Sequence, residues 1–228
     1  LHEFRAGRDS IRQEHYRWLM HWFDAADAIA SALPAIWLIR TDARPHNLTE
    51  RSALRRGLAR RIVARQLGCR EEDVAIAHDA AGRPLLDLPR EAGLHLSLAT
   101  RAGIVAIGLA GRPLGVDVEQ VDKQAAPPLD LLHPDERSAL DAVSSTERAR
   151  SFARLWAAKE AYVKALGSGF RRAPESFAVS LLSETAFRVI DASAPAGFTG
   201  TLRAMKNGGH EIMAAAIVIN GQAGLQPA

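Results

Sequence analysis

The spacing of apolar residues predicts four helices along the chain. In the first two, apolar residues recur every three or four positions, which gathers them on one helix face. Thr49 is the predicted N-cap of the second helix, and Gly68 and Gly167 are predicted to end the second and fourth helices. The predicted helices cover 1–34, 49–67, a segment that begins at about 134, and 146–166.

Short apolar runs between these helices predict strands, and turns or linkers separate them. The strands are expected at 35–39, 74–77, 94–98, 104–109, 115–119, 177–182, 186–190, 198–205 and 212–219. Each half of the chain therefore offers a helix and several strands, which predicts an α+β fold of two similar lobes. The predicted divisions are a helical extension at 1–34, a first lobe at 35–122, a linker at 123–129 and a second lobe at 130–228.

Two segments of this pattern carry the candidate chemistry. In a strand at 115–119, Asp117 and Glu119 point to one face because alternate side chains share a face. In the fourth helix, Glu160 and Lys164 lie one turn apart on a face otherwise made of small alanines, which is expected to leave room for a ligand. Lys159 falls on the apolar side of this helix, and its amine is expected to reach out past a buried stem.

Three carboxylates and a lysine suit a Mg²⁺-dependent reaction on a pyrophosphate. Mg²⁺ prefers oxygen ligands and is usually held by a few carboxylates together with substrate phosphates. Asp117, Glu119 and Glu160 can supply the carboxylates, and Lys164 can neutralise charge that builds on phosphate oxygens. Taken singly, each segment has an ordinary explanation, as exposed carboxylates or as a helix-stabilising ion pair. The two segments together are far more specific.

Composition limits the class of protein. The chain has 228 residues, of which 47% are hydrophobic, as in an ordinary globular protein. No apolar run approaches the about 20 residues of a membrane helix, and the N-terminal stretch lacks the apolar core of a secretory signal. Cys69 is the single cysteine, so an internal disulfide is excluded. These features predict a cytoplasmic protein without a membrane partner.

The net charge is only +3, but arginines cluster between positions 51 and 65. Such a cluster suits nucleic acid, an anionic small molecule or an acidic protein, and it is also common on a solvated helix face. A nuclease that uses the same carboxylates would need aromatic residues interleaved with the basic ones. Aromatic residues make up 6% of the chain and show no such interleaving, so nucleic acid is not an expected partner.

The two segments resemble the motifs of a known enzyme family. Residues 115–119 match a G-[VI]-D-x-E strand, and residues 156–164 match a W-x-x-K-E-[AS]-x-x-K helix, both without gaps. With this spacing the sequence resembles the 4′-phosphopantetheinyl transferases of the surfactin-synthetase-activating type. The resemblance covers roughly 35–220 and implies a monomer of two similar lobes in pseudo-twofold arrangement, with the active site in the cleft between them.

The resemblance implies a concrete reaction. These enzymes bind coenzyme A and Mg²⁺ and transfer the phosphopantetheine arm to a serine of an acyl or peptidyl carrier protein, with release of adenosine 3′,5′-bisphosphate. Carried over to this chain, the metal ligands are Asp117, Glu119 and Glu160. Glu160, directly or through a water, takes the proton from the serine, and Lys164 supports the pyrophosphate or the leaving group.

The resemblance also suggests contacts to coenzyme A. The family's G-[KR]-P turn is matched by Gly82 with Arg83 and Pro84, and its Arg-[Thr/Ser] pair by Arg51 and Ser52. The family's Ser-His pair precedes the metal strand, and counting back from Asp117 places it at Ala99 and Thr100, so the histidine is missing. Lys159 completes the set of expected cofactor-binding residues.

Two alternatives to the transferase stay open. One is another Mg²⁺-dependent enzyme that processes phosphates. The other is a protein that binds coenzyme A or carrier proteins and has lost catalysis, which the missing histidine favours and the four intact residues Asp117, Glu119, Glu160 and Lys164 disfavour. Coenzyme A binding, with and without Mg²⁺, separates these hypotheses.

Overall fold

The computed structural model describes residues 20–88, 93–168 and 172–219. Within these ranges the α-helices are α1 (Leu48–Leu67), α2 (Pro134–Asp141) and α3 (Ser145–Leu166). The strands are β1 (His21–Phe23), β2 (Ala35–Arg40), β3 (Ala75–His78), β4 (Pro84–Leu88), β5 (His95–Arg101), β6 (Ile104–Ala110), β7 (Leu114–Gln120), β8 (Ala178–Leu181), β9 (Ala186–Asp191), β10 (Ala194–Asn207) and β11 (His210–Val218). The expected α+β class is confirmed.

Most strands lie in two sheets of similar connectivity. The first sheet has the order β1-β2-β6-β5 and the second the order β7-β11-β10-β9-β8, while β3 and β4 form a separate pair. Apart from β1, both sheets are connected in the same way. In the first sheet β2 pairs antiparallel with β6, and β6 pairs with β5; in the second sheet β7 pairs antiparallel with β11, and β11 pairs with β10. This shared order agrees with two similar lobes, and their pseudo-twofold arrangement stays a prediction.

Strand β7 belongs to the second sheet, because it pairs with β11 along its length. The division between the sheets therefore falls at 111–113, between β6 and β7, and not at the expected linker 123–129. The expected first lobe, 35–122, includes a strand of the other sheet. The sheets meet where β7 passes β5, and there the Val116 amide donates to Ser97 Oγ at 3.0 Å.

The sheets pack face to face and each is covered by helix on its outer face. Residues such as Ile36, Val116 and Ala214 fill the apolar layer between the sheets. The outer face of the first sheet packs on α1, and that of the second sheet packs on α2 and α3. Because side chains alternate along a strand, β7 turns Val116 and Val118 towards the other sheet and its alternate residues towards α3.

Helix α1 begins one residue before its predicted start and has a different cap. The side chain of Asn47 accepts a hydrogen bond from the Glu50 amide, so Asn47 and not Thr49 is the N-cap. Gly68 ends the helix with φ at 67°, a conformation that glycine adopts at no steric cost. Gly167 ends α3 in the same way with φ at 69°, as predicted.

The expected helix at 1–34 is wrong wherever it can be compared. Residues 1–19 lie outside the described part, and 20–34 contain the short strand β1 and no helix. The segment packs on the first sheet through a short strand and the turns and bends that follow it: Phe23 stacks on Trp37 with ring centroids 5.4 Å apart, and Trp37 Nε1 donates to the Ala28 carbonyl at 3.0 Å. The helix-like spacing of its apolar residues therefore reflects packing on the first sheet.

Strand β4 is absent from the strands expected from sequence, since Pro84 was interpreted only as part of a turn. The pairing of β3 with β4 closes the turn at 79–83, in which the Gly82 amide donates to the Asp79 carbonyl at 2.9 Å. None of the helices in the described ranges combines the length and hydropathy that a membrane crossing requires.

Candidate active site

The two carboxylates of β7 face α3, as the alternation predicts. Val116 and Val118 are buried in the layer between the sheets, whereas Asp117 is buried on the opposite side and Glu119 is half-buried. Lys164 of α3 reaches Asp117, and its Nζ lies 2.6 Å from Asp117 Oδ1. The strand and the helix thus bring the two sequence motifs together.

The alanine face of α3 packs directly on β7. Ala157 and Ala161 are fully buried, and a Cβ added at Gly115 would lie 1.8 Å from the Ala161 carbonyl oxygen. The expectation that these alanines leave room for a ligand is therefore wrong. Because these alanines and Gly115 are small, α3 approaches β7 closely, and Glu160 and Lys164 therefore lie near the strand.

Two cations contact the carboxylates. Lys164 Nζ also donates to the Val116 carbonyl at 3.3 Å, so its ammonium is fixed between backbone and Asp117. On the other side of the cluster, Arg101 at the end of β5 pairs with Glu119, with Nε 3.4 Å from Oε2. The three-dimensional neighbours of the motifs therefore include an arginine that neither motif contains.

The carboxylates are held where negative charge is unfavourable. Burial raises the pKa of Asp117, although Lys164 acts in the opposite sense. Burial and then the charge of Asp117 raise the pKa of Glu119 to about 7, and the same two causes raise the pKa of Glu160. A further cation near this cluster would stabilise the ionised carboxylates.

The fit of the cluster to a metal ion is partial. Among the described residues, no group of three or more His, Cys, Asp or Glu side chains is arranged to hold a metal ion as it stands. The donors nevertheless suit Mg²⁺ in kind, because they are carboxylate oxygens and because Asp117 Oδ2 is buried without a hydrogen-bond partner among the described residues. Magnesium commonly keeps several waters and needs only one or two carboxylates.

A cavity of about 480 Å³ opens beside Lys164, and we call it the lysine-side cavity. Among the described residues, four cationic side chains and no carboxylate line it, and this charge would attract an anion. Burial and the neighbouring charges of Arg51 and Arg56 lower the pKa of Arg55, a sign of how closely these guanidinium groups lie. Its lining residues include Ser52, Arg55, Arg56, His78, Gly82, Arg83, Pro84, Ser97, Leu98, Lys164 and Gly167.

A second cavity, of about 700 Å³, is lined by Arg101, the partner of Glu119, but by no carboxylate of the cluster, and we call it the glutamate-side cavity. It shares no lining residue with the first. Loop 41–45, the start of α1, the β5–β6 turn and the β10–β11 turn surround it. The chemistry-bearing residues that line it are Thr41, Asp42, Arg44, Arg51, Thr100, Arg101, Gln120, Asn207 and His210.

The expected coenzyme A residues divide between these cavities. Arg83, Pro84 and Ser52 line the lysine-side cavity, whereas Arg51 and Thr100 line the glutamate-side cavity. Arg83 is positioned by Asp79, with Nε 3.5 Å from Oδ2. The lysine-side cavity therefore brings together only three of the expected coenzyme A residues, Ser52, Arg83 and Pro84.

Ala99 is buried in the apolar layer between the sheets and lines neither cavity. Ser97 and Leu98, which lie two positions before the expected pair Ala99 and Thr100, line the lysine-side cavity instead. The count back from Asp117 crosses the β5–β6 turn, where Ala102 and Gly103 have φ at 46° and 74°. Spacing that is counted across a turn of unknown length does not fix a position on the strand before it.

Lys159 is a buried structural residue. Its side chain is 1% exposed, and its Nζ donates to the carbonyls of Pro174 and Phe177 at 2.8 Å each and lies 2.7 Å from Glu136 Oε1. The expectation that the amine reaches out of the core is therefore wrong. No cofactor contact is open to this side chain.

Sequence reasoning also missed several residues that line the lysine-side cavity. Arg55 and Arg56 belong to the arginine cluster at 51–65, but the sequence does not indicate that they, and not Arg60 or Arg65, line a cavity. A count from the helix start would have helped, because the first two turns of α1 face the cavities. His78 showed no signal, since its place depends on the β3–β4 pairing.

The second half of the chain is similar to a known protein family. Residues 113–213 match the family model of the 4′-phosphopantetheinyl transferase superfamily. The chain is 26% identical over 122 residues to the 4′-phosphopantetheinyl transferase gsp of Aneurinibacillus migulanus, covering 52% of this chain and 49% of that protein. The matched residues 113–213 include both motifs, and the resemblance to this superfamily is confirmed.

Two further relatives carry the same description. The chain is 30% identical over 130 residues to the 4′-phosphopantetheinyl transferase HetI of Nostoc sp. (strain PCC 7120), covering 53% of each. It is 27% identical over 131 residues to the 4′-phosphopantetheinyl transferase Sfp of Bacillus subtilis, covering 54% of this chain and 55% of Sfp. The chain thus spans about half the length of the curated relatives it matches.

Proposed function

We propose that this chain, a relative of the 4′-phosphopantetheinyl transferases, moves the phosphopantetheine arm of coenzyme A to a serine of an apo acyl or peptidyl carrier protein. Adenosine 3′,5′-bisphosphate is the other product. One observation carries the proposal: the ammonium of Lys164 lines an arginine-rich cavity and is bonded to Asp117 of the carboxylate cluster. A phosphorylated donor in that cavity would therefore lie next to the carboxylates.

The lysine-side cavity suits the phosphates of coenzyme A. Arginine offers paired N–H donors that match phosphate oxygens, and Arg55, Arg56 and Arg83 line one cavity of about 480 Å³. A volume of this order is typical of small-molecule sites. Ser52 and Ser97 add hydroxyl groups, although the Ser97 hydroxyl already accepts from the Val116 amide.

The residues of the cluster support a phosphoryl transfer from coenzyme A to the serine hydroxyl. The serine oxygen bonds to the phosphorus that carries pantetheine, the bond from that phosphorus to the bridging oxygen breaks, and the nucleotide leaves with that oxygen. Glu160, directly or through a water, takes the serine proton. Lys164 stabilises charge on the phosphate oxygens.

Asp117, Glu119 and Glu160 would hold Mg²⁺, which when bound polarises the pyrophosphate and offsets its charge. The unpartnered Asp117 Oδ2 supports this assignment. We further propose, as the resemblance implies, a monomeric cytoplasmic protein with two lobes in pseudo-twofold arrangement and without a nucleic-acid or membrane partner.

Coenzyme A binding tests the donor site. In calorimetric titrations, the Arg83→Ala variant and the Arg55→Ala/Arg56→Ala variant should bind coenzyme A about tenfold or more weakly, since each loses charge-assisted contacts to phosphate. Arg60→Ala/Arg65→Ala is the matched control on the same helix, because both residues are exposed and line neither cavity. Equal affinities in all variants would remove coenzyme A from this cavity.

Turnover by a Glu160 variant tests the reaction. Glu160→Gln keeps the shape of the side chain but removes its charge, so transfer to a carrier should fall by about 100-fold or more, while coenzyme A remains bound and the unfolding transition changes little. Unimpaired transfer would exclude Glu160 as base and metal ligand. Coenzyme A binding by the wild-type protein without transfer to any carrier would favour a binding protein that has lost catalysis.

A further inference from the structure

Two cations hold the carboxylates of β7, and they do so in different ways. Lys164 Nζ lies 2.6 Å from Asp117 Oδ1 and also donates to the Val116 carbonyl. Arg101 Nε lies 3.4 Å from Glu119 Oε2, which is longer than a typical N–H···O hydrogen bond of about 2.9 Å. The lysine side chain is 31% exposed and the arginine side chain 57%. The lysine contact is therefore tight, and the arginine contact is loose.

A further cation can join the cluster without displacing Lys164. The lysine contacts Oδ1 of Asp117, whereas Oδ2 is buried and has no hydrogen-bond partner among the described residues. The other carboxylate of the strand is different, because Arg101 already faces it. A metal ion held by both Asp117 and Glu119 therefore competes with the arginine and not with the lysine.

The side chain of Arg101 can leave Glu119 without disturbing the fold. Arg101 is the last residue of β5, and the turn that follows is tied to the β10–β11 turn, because Asn207 Nδ2 donates to the Ala102 carbonyl at 2.9 Å. The arginine side chain also lines the glutamate-side cavity of about 700 Å³, which gives it space to turn into. Its release therefore needs no movement of the backbone.

We propose that Arg101 is a positioning residue that holds Glu119 in place of a metal ion and releases it when Mg²⁺ binds. This inference rests on the proposed function, through the assignment of Glu119 as a metal ligand. Without a metal ion, the guanidinium offsets the charge of a half-buried carboxylate, which is unfavourable when it is unpaired. A divalent ion attracts the carboxylate more strongly, and its own charge repels the guanidinium at short range.

The need to release Arg101 lowers the apparent affinity for the metal ion. The ion binds only to the fraction of molecules in which Glu119 is free of the arginine, so the apparent dissociation constant is raised in proportion. An ion pair with a largely exposed partner is weak, and the effect should therefore be about threefold to fivefold. The arginine thus helps to set the metal concentration that the site needs.

Metal binding in the absence of coenzyme A and carrier tests this exchange. Mn²⁺ has the charge of Mg²⁺ and suits the same oxygen ligands, and electron paramagnetic resonance measures its free concentration. Arg101→Gln should bind Mn²⁺ about threefold to fivefold more tightly than the wild-type protein, because Glu119 then has no competing arginine. Mg²⁺ should displace the bound Mn²⁺ with the same ranking of the two proteins. An unchanged affinity would overturn the proposal.

Arg44→Gln is the matched control. It removes the same charge from the lining of the same cavity, but Arg44 is exposed and forms no ion pair within the described part of the chain. Its affinity for Mn²⁺ should match that of the wild-type protein, since salt screens an exposed charge that does not contact the cluster. An equal gain of affinity in Arg44→Gln and Arg101→Gln would indicate general repulsion and would refute the exchange.

A double-mutant cycle shows whether Arg101 acts through Glu119. Added to Glu119→Gln, the change Arg101→Gln should leave the affinity for Mn²⁺ as it is in Glu119→Gln alone, because the shared carboxylate is gone. If Glu119→Gln binds no Mn²⁺, the double variant should bind none either. A gain of affinity or restored binding in the double variant would contradict the proposal. Thermal unfolding should show that all variants are folded.

Failure of this inference can be told apart from failure of the proposed function. If the wild-type protein modifies a carrier but Arg101→Gln binds Mn²⁺ no more tightly, the function stands and the inference falls. If no carrier is modified but the cycle shows that Arg101 weakens Mn²⁺ binding through Glu119, the inference stands and the function falls. Absence of Mn²⁺ binding in both the wild-type protein and Arg101→Gln would overturn the inference.

Discussion

Glu119 illustrates how single side chains set the properties of the cluster. Its carboxyl group is half-buried beside Asp117, and these two factors raise its pKa from 4.5 to about 7. Arg101 and Lys164 oppose the shift without cancelling it. Without a further cation, the folded protein therefore binds a proton at Glu119 more tightly than the unfolded chain does.

The first prediction concerns Glu119→Gln in metal-free buffer. Because the folded pKa lies above the unfolded one, the stability contributed by Glu119 is present below pH 4.5 and is lost as the pH rises to about 7. The variant has no carboxyl group at this position and does not lose this stability. The difference in free energy of unfolding, variant minus wild type, should therefore be up to about 3 kcal/mol larger at pH 8 than at pH 4.5. Urea unfolding at both pH values measures this, and parallel pH profiles would contradict it.

Lys159 gives a second prediction at this scale. Lys159→Met leaves Glu136 charged and buried without its cation, so it should lower the free energy of unfolding by about 3 kcal/mol. The double variant Lys159→Met/Glu136→Leu should be destabilised by less than the sum of the two single variants, because it leaves no unpaired buried charge. At a temperature where the single variant is folded, its affinity for coenzyme A should match wild type. A large loss of affinity would restore Lys159 as a cofactor contact.

Single residues differ in how far the sequence determines their place. Asp117 and Glu119 were predictable, because the alternation of side chains along a strand is local. The partner of Lys159 was not, since Glu136 lies on another helix and reaches it only through tertiary packing. Ser97 was missed for a related reason, because the length of the β5–β6 turn separates it from the metal strand.

At the scale of elements, the active site depends on how closely α3 lies against β7. Gly115 faces the backbone of the helix, where a Cβ would lie 1.8 Å from the Ala161 carbonyl oxygen and 2.7 Å from the Ala165 amide nitrogen. Backbone atoms cannot move aside as a flexible side chain can. The glycine of the strand motif is therefore required by packing, two residues before the first carboxylate.

The third prediction follows from this contact. Gly115→Ala should lower the free energy of unfolding by about 3 kcal/mol or more, because the helix must move away from the strand. Gly111→Ala is the matched control, since nothing lies within 4 Å of a Cβ there. Chemical unfolding of both variants decides it. A Gly115→Ala protein as stable as Gly111→Ala would show that the helix does not pack so closely.

Elements with strong local signals were predicted well. Helices α1 and α3 have long apolar stripes and end at glycines with positive φ, so their ends agree closely with the sequence. The region 20–34 has similar apolar spacing but forms a short strand followed by turns and bends, with Phe23 packed on Trp37 of the first sheet. Strand β4 was overlooked because it begins with the proline of a turn.

At the scale of the whole molecule, the lysine-side cavity is lined by residues from both halves of the chain. Its lining includes Ser52 of α1 and Arg83 of the turn at 79–83 in the first half, and Lys164 of α3 and Gly167 directly after α3 in the second. A ligand there contacts parts of both halves, so its binding should stabilise the folded chain as a unit. The order of elements was predictable, but the boundary between the sheets was not, because the pairing of β7 with β11 joins residues about a hundred positions apart.

The fourth prediction concerns this coupling. Coenzyme A at a hundredfold excess over its dissociation constant should add about 2.7 kcal/mol to the free energy of unfolding, which thermal unfolding detects as a raised Tm. Pantetheine, which lacks the phosphates, should give little or no shift at the same concentration. The Arg55→Ala/Arg56→Ala variant should lose most of the effect. An equal shift with pantetheine would show that the cavity does not recognise phosphate.

The central claim is the transfer itself, and intact mass measures it most directly. Apo acyl and peptidyl carrier proteins are incubated with the wild-type chain, coenzyme A and Mg²⁺, and parallel samples contain a chelator or the Glu160→Gln variant. The account predicts that a carrier gains the mass of one phosphopantetheine with the wild-type chain and Mg²⁺ only. No gain on any carrier, or a gain unaffected by the chelator and by Glu160→Gln, would contradict it.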